Sequence, residues 1–436
     1  MARPPKSGPA PVAVPDSPGG VRGLLWLLIV VAPWLFLTTA YDPFRLPKLV
    51  AAETLTLASI VLLALAWARR KLAEPSRDTV LTLAAVFGPM VAAASLGLLT
   101  SPHEPALRQS LAALLIGVAG AAAWCLGLSR RHLERLLGWT VVPAVGFALA
   151  GLGQAWGWFQ PFAFENVRQG ERLAVTAFAG NAGEFGAFLL LPALVAQWRI
   201  AADRRGRAGW IAALVVLVAG QIASQTLTAL GALVLASSSF WLLAVAAERR
   251  RWLAVVPVLA ALLITVVVPP VRQRLTEVAN GLTVGRLNAA LSGRLDGWRV
   301  AGRVFTTHPL TGVGLGGFAA EFAPTRLALQ NEGVEFYPGH REAFFANAHN
   351  DGLEWAAETG LVGIVALGFA LWTLGRRMTR WAGGLDRAFA LATLAGLGLL
   401  AAAYFPFRVP LLAYPILLFL AWLVRASTEQ AAEVRS

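Results

Sequence analysis

Long runs of apolar residues alternate along this chain with short polar links. A bilayer core about 30 Å thick takes about 20 apolar helical residues to cross. Runs near that length fall at 23–40, 49–68, 79–100, 110–128, 136–158, 184–201, 208–224, 227–247, 252–269, 353–375, 386–404 and 408–424. The pattern predicts an all-α polytopic membrane protein with about 12 transmembrane helices. Only "SQT" separates 208–224 from 227–247, so that pair is the least sharply divided.

The polar links predict orientation. Basic tracts stand at 68–71 ("ARRK"), 129–135 ("SRRHLER"), 199–207 ("RIAADRRGR"), 248–251 ("ERRR") and 375–380 ("GRRMTR"). With a cytoplasmic N-terminus carrying Arg3, Lys6 and Arg22, every even-numbered span ends in the cytoplasm. The five tracts then follow spans two, four, six, eight and ten, all on the side where lysine and arginine accumulate. The opposite side holds a link at 159–183 and a large loop at 270–352. Loops this long are usually functional. The chain divides accordingly into a disordered cytoplasmic tail (1–22), helices one to nine (23–269), the large outer loop (270–352), helices ten to twelve (353–424) and a second short tail (425–436).

Composition agrees with this picture. Hydrophobic residues make up 57% and charged residues 14%, against about a quarter charged in soluble domains. The net charge of +13 sits in the links and reads as topology, not as a nucleic-acid surface. The single cysteine, Cys125, lies in an apolar run and permits neither an internal disulfide nor a cysteine-based metal site. The first run, 23–40, is long enough to span and reads as a retained helix, not a cleaved leader.

Candidate chemistry gathers in the outer links. The stretch "FFANAHNDGLEWAAETGLVG" (344–363) sets His349 and Asn350 at the mouth of the tenth span. Asn350 or Asp351 can cap that helix, and a neutral imidazole can take a proton from a hydroxyl near neutral pH. The competing reading is a polar cap and nothing more. The large loop has eight arginines and no lysine. "SGRLDGWRVAGRVF" reads as a helix with Arg299 and Arg303 on one face and Arg294 with Trp298 on another. The smaller link adds Arg168 and Arg172. Arginine stays charged and grips phosphate oxygens in pairs, so two arginine-bearing loops suit a lipid phosphate or diphosphate. Most of these arginines are expected only to pair with loop acids or snorkel to headgroups. Arg45 and Lys48, in the first outer link, can reach the same phosphates. His340 and His349 stand nine apart without a carboxylate at a useful offset, so no metal site is expected. "HPLTGVGLGGF" (308–318) lacks the Gly-Lys-Ser/Thr ending of a nucleotide loop and reads as a tight turn between two helices. An anionic-lipid transporter would bury its charges at the membrane midplane; here they cluster on one outer face, which favours an enzyme.

Three stretches together resemble the O-antigen ligase and polymerase superfamily of membrane glycosyltransferases. His349-Asn350, nine residues, Gly360, two residues and Gly363 match its His-Asn pattern. Arg294, Trp298, Pro309, Gly312 and Gly314 resemble its Arg-x3-Trp and Pro-x-x-Gly-x-Gly segment. Arg172 and Asn181 resemble its Arg-then-Asn segment, with a departure: Gly183 stands where relatives carry a second Asn. The likeness spans 165–365. It implies a GT-C-like fold and inverting, metal-independent glycosyl transfer on the periplasmic face of a bacterial inner membrane, without a cofactor. The implied donor is an O-antigen glycan on undecaprenyl diphosphate and the implied acceptor lipid A–core. His349 would be catalytic, and Arg172 and Arg294 would bind diphosphate, with Arg168, Arg299, Arg303, His340 and Asn350 as further candidates. A single large loop after span nine favours a ligase over an O-antigen polymerase or an enzyme that glycosylates protein hydroxyls.

Overall fold

The computed structural model describes residues 19–433 apart from 73, 159, 163–174, 245–251, 284–285, 292, 338–344 and 382. Arg168, Arg172 and His340, and the expected tail up to residue 18, lie outside the described residues. The described chain is helical throughout: α1 (Gly19–Trp26), α2 (Arg45–Ala68), α3 (Arg77–Thr100), α4 (Glu104–Gly127), α5 (Arg130–Trp139), α6 (Val141–Ala155), α7 (Ala182–Phe188), α8 (Leu190–Ala202), α9 (Arg207–Ala223), α10 (Leu227–Ala244), α11 (Val256–Val267), α12 (Pro269–Thr283), α13 (Leu287–Ala290), α14 (Arg294–Thr307), α15 (Phe318–Asn331), α16 (Asp351–Arg380), α17 (Leu385–Ala403) and α18 (Pro410–Glu433).

Among the described residues nine helical stretches are long and apolar enough to cross a membrane, or ten if one bent pair counts as a span. Two of these stretches, Arg130–Ala155 and Ala182–Ala202, are built from consecutive helices. Each of the twelve apolar runs in the sequence holds a helix, but three fall short of a straight span. The first, Gly19–Trp34, widens through a π turn, tightens through a 3-10 turn at Pro33 and leaves the helix at Leu35. Arg207–Ala223 is also short. The ninth run bends by 94° between Val267 and Pro269. The Pro269-Pro270 pair explains the bend, since proline supplies no N–H and its ring crowds the preceding turn. At the far end α18 runs on to Glu433 and takes in residues that read as a tail from 425. The ion pair between Arg425 and Glu429, one turn apart, and the Thr428 hydroxyl against that of Thr79 (3.0 Å) hold this extension.

One large core binds the membrane helices, with Trp124, Phe147, Phe185, Phe389 and Trp422 fully buried. α10 packs along α17, and α16 along α3. A smaller core joins α14 and α15 to α16 through Val300, Val304, Val313, Phe318, Phe322, Ala348 and Ala357. It turns the large loop into a helical cap seated on the N-terminal third of α16.

Candidate functional site

Two breaks in ordinary helical geometry build the site. The first is Gly360, inside α16, at φ 63°, ψ −158°. That conformation is essentially open to glycine alone. The break frees backbone groups on both sides. Ala357 and Glu358 carbonyls accept from Val313 (3.1 Å) and Gly314 (2.9 Å), while Leu361 and Val362 donate to Pro309 (2.8 Å) and Leu310 (3.2 Å). The segment 308–317 is therefore the turn joining α14 to α15, laid into the notch of a membrane helix. Gly312, at φ 64°, approaches so closely that a Cβ would stand 2.2 Å from the Glu358 carbonyl carbon. Ser101, just past the end of α3, donates to Val313 O (2.6 Å) and ties the turn to that helix as well.

The second break is His349, whose φ of 56° places it in the left-handed region. It turns the chain from the loop into α16. Asn350 then caps α16, its Oδ1 accepting from the Leu353 N–H (2.9 Å) and its amide donating to Ala402 O (2.8 Å). Asp351 N–H donates to Tyr404 O (3.2 Å). Trp298 Nε1–H, from α14, donates to the His349 carbonyl (3.4 Å). The half-buried imidazole lies among three rings, Phe405 (4.9 Å between centroids), Phe345 (5.4 Å) and Tyr404 (6.3 Å).

The arginines of α14 divide as their faces do. Arg299 is exposed and donates to the Glu335 carbonyl (2.5 Å), and Arg303 forms a two-pronged pair with Glu332. Arg294 sits one turn before Trp298 on the face turned to His349, half-buried. The one side-chain hydrogen bond of its guanidinium among the described residues is a long contact with the Thr228 hydroxyl (3.3 Å), and no described carboxylate pairs with it. Burial accordingly pulls its pKa below the usual guanidinium value.

Several residues here gave no functional signal in the sequence. Arg408, in the α17–α18 link, pairs with the buried Glu358 and lies 3.5 Å from the buried Glu354. Burial works against its charge, but Glu358 and Glu354 outweigh that and raise its pKa. Glu354 accepts from Ala348 N–H (2.7 Å) and the Asn347 amide (3.0 Å), and Glu358 from Gly316 N–H (2.8 Å). The trio thus clamps the loop before His349, the glycine turn and the α17–α18 link together. The available clue was a charged residue and one of only four tyrosines in the link "AYFPFRVP".

Arg45, at the start of α2, pairs with Glu184 of α7 (2.5 Å), and its guanidinium lies 5.5 Å from the Phe405 ring that also touches His349. Asn181 caps α7 through Gly183 N–H (2.7 Å) and Glu184 N–H (3.3 Å). Lys48 is spent on the carbonyls of Leu35, Phe44 and Phe178. No group of three or more His, Cys, Asp or Glu side chains is placed to share a metal ion among the described residues.

The arrangement thus brings Arg294, His349, Asn350, Arg45 and the α17–α18 link to one place and leaves Arg299 and Arg303 on the surface of the cap. No curated protein matches the chain. Residues 211–368, which take in the Arg294 helix, the glycine turn and His349, match the family model described as O-antigen ligase. That match makes this stretch similar to the O-antigen ligase family, whose members are membrane enzymes of glycosyltransferase type, and supports assigning the chain to it.

Proposed function

We propose that this chain is a GT-C-like glycosyltransferase that moves O-antigen glycan from undecaprenyl diphosphate to lipid A–core at the periplasmic face of the inner membrane. The observation that carries this reading is Arg294: a half-buried arginine without a described acid partner, on the helix that holds the His349 carbonyl. A buried cation left unpaired is costly, and a bound diphosphate relieves that cost. Arg294 offers its remaining N–H donors to the phosphate oxygens.

In the proposed reaction an acceptor hydroxyl gives its proton to a ring nitrogen of His349. Its oxygen bonds to the anomeric carbon from the face opposite the diphosphate, so configuration inverts. The bond from that carbon to the phosphate oxygen breaks, and the electron pair leaves on the diphosphate. Arg294, with Arg172 and Arg168 of the smaller loop, neutralises the charge that builds there. The aromatic wall of Phe345 and Phe405 limits the imidazole's motion, and Asn350 fixes the start of the helix beneath it.

Purified protein mixed with undecaprenyl-diphosphate glycan and lipid A–core, with chelator and no nucleotide, tests this. High-molecular-weight lipopolysaccharide from wild type, with a loss of about 10²- to 10⁴-fold in His349→Ala, is the expected result. Elongated lipid-linked glycan in place of lipopolysaccharide would make the enzyme a polymerase. Equal product from both proteins would reduce His349 to a helix-start residue.

A further inference from the structure

Tyr404 is 5% exposed, and its hydroxyl is buried without a hydrogen-bond partner among the described residues. A buried hydroxyl left unmatched is costly relative to a satisfied one, so its presence calls for a reason. Its surroundings supply one. The ring stacks on Phe405 (4.3 Å) and stands 6.3 Å from the His349 ring. The backbone is held by Asp351 N–H on the Tyr404 carbonyl (3.2 Å). The phenol interacts electrostatically with Glu184, Arg45, Arg294 and Asp351, which lie on four different elements. Gly183, the position at which the chain departs from the pattern it resembles, leaves room beside it: a Cβ there would lie 3.3 Å from the hydroxyl oxygen. The hydroxyl is thus held beside Gly183 at the start of α7, in the field of Arg45, Arg294, Glu184 and Asp351, with no hydrogen-bond partner among the described residues.

We propose that the Tyr404 hydroxyl binds substrate, donating a hydrogen bond to a phosphate oxygen of the lipid diphosphate held by Arg294. This rests on the functional reading above and adds to it a neutral donor for the departing group. An anion drawn to Arg294 and within the field of Arg45 brings its oxygens to the unmatched hydroxyl. Burial, and then the Glu184 carboxylate, push the phenol's pKa well above its usual value. The group therefore stays protonated and can only strengthen its donation as negative charge grows on the leaving oxygen.

The test uses the full-length protein in detergent and three probes: undecaprenyl diphosphate, undecaprenol and heat. In Tyr404→Phe, affinity for undecaprenyl diphosphate should fall about tenfold or more, the range of a hydrogen bond to a charged group. Affinity for undecaprenol, which has no phosphate, should not change. The ligand-free melting temperature should stay the same or rise, because the hydroxyl has no partner to lose among the described residues; a purely structural tyrosine would instead melt lower on losing it. If wild type and Tyr404→Phe bind the diphosphate equally, the proposal fails and the functional reading stands. If wild type itself binds the diphosphate no better than undecaprenol, the functional reading fails and takes the proposal with it.

Discussion

Gly360→Ala should be among the most damaging single methyl additions in this protein. The added Cβ would stand 2.3 Å from Leu310 O, 2.4 Å from Leu310 C and 2.6 Å from Thr311 N, all backbone atoms that cannot rotate aside. The residue would also have to hold φ 63°, ψ −158°, at about 1–3 kcal/mol for a residue with a side chain. Relief requires the 308–314 segment to lift from its notch. Four backbone hydrogen bonds cross that contact, each contributing about 1 kcal/mol. Strain and partial loss of these bonds together come to about 3–5 kcal/mol. Gly368→Ala is the internal control. It lies further along the same helix, exposed, with no atom within 4 Å of an added Cβ. There alanine should be neutral or stabilising by about 0.5–1 kcal/mol. Thermal unfolding of both variants in detergent is the assay, with a fall on the order of 5–10 °C expected for Gly360→Ala. Donor binding should weaken with it, because the turn carries α14 and hence Arg294. If Gly360→Ala melts with wild type, or if Gly368→Ala falls as far, the docked-turn account of this motif glycine is wrong.

Other substitutions probe the remaining parts. Arg294→Lys should weaken undecaprenyl-diphosphate binding about tenfold or more, since an ammonium loses the paired geometry; Arg303→Ala, which removes an exposed pair with Glu332, should bind as wild type and change stability by about 1 kcal/mol at most. Arg408→Leu leaves Glu354 and Glu358 buried without their cation and should cost about 3–5 kcal/mol by thermal unfolding, with partial recovery in the Arg408→Leu, Glu358→Gln double variant. The raised pKa of Tyr404 keeps the phenol protonated through the neutral range. The ratio of wild-type to Tyr404→Phe activity should therefore stay flat from about pH 6 to 9, whereas a phenolate role would make it rise with pH.

Much of the architecture is legible in one dimension. A membrane helix must satisfy its own backbone and face lipid, so its signature is local: a run of apolar residues about 20 long. The helical reading of 294–307 and the turn at 308–317 are local too, set by side-chain spacing and glycine. Local reading failed where a neighbour or the backbone decided the outcome. Proline placed the 94° bend after Val267, and α18 continues past 425 because Arg425, Glu429 and Thr428 find partners. His349 and Arg294 were visible as residues, yet spacing could not say that Trp298 would hold the His349 carbonyl or that Arg299 and Arg303 would turn to the surface.

By itself, then, the sequence determined the membrane-spanning class, the helical cap and the residue types available for phosphate and hydroxyl chemistry, because each follows from composition and periodicity along a short stretch. The tertiary structure alone decided which charges are spent and which remain for a ligand. Arg408 and Arg294 look alike in sequence. One is neutralised by two buried glutamates from a helix some fifty residues away, and the other, half-buried, has among the described residues only a long side-chain contact with a threonine hydroxyl. Electrostatic pairing depends on distance in space, and in this chain it is the break at Gly360, the turn at His349 and the link at Tyr404 that set those distances.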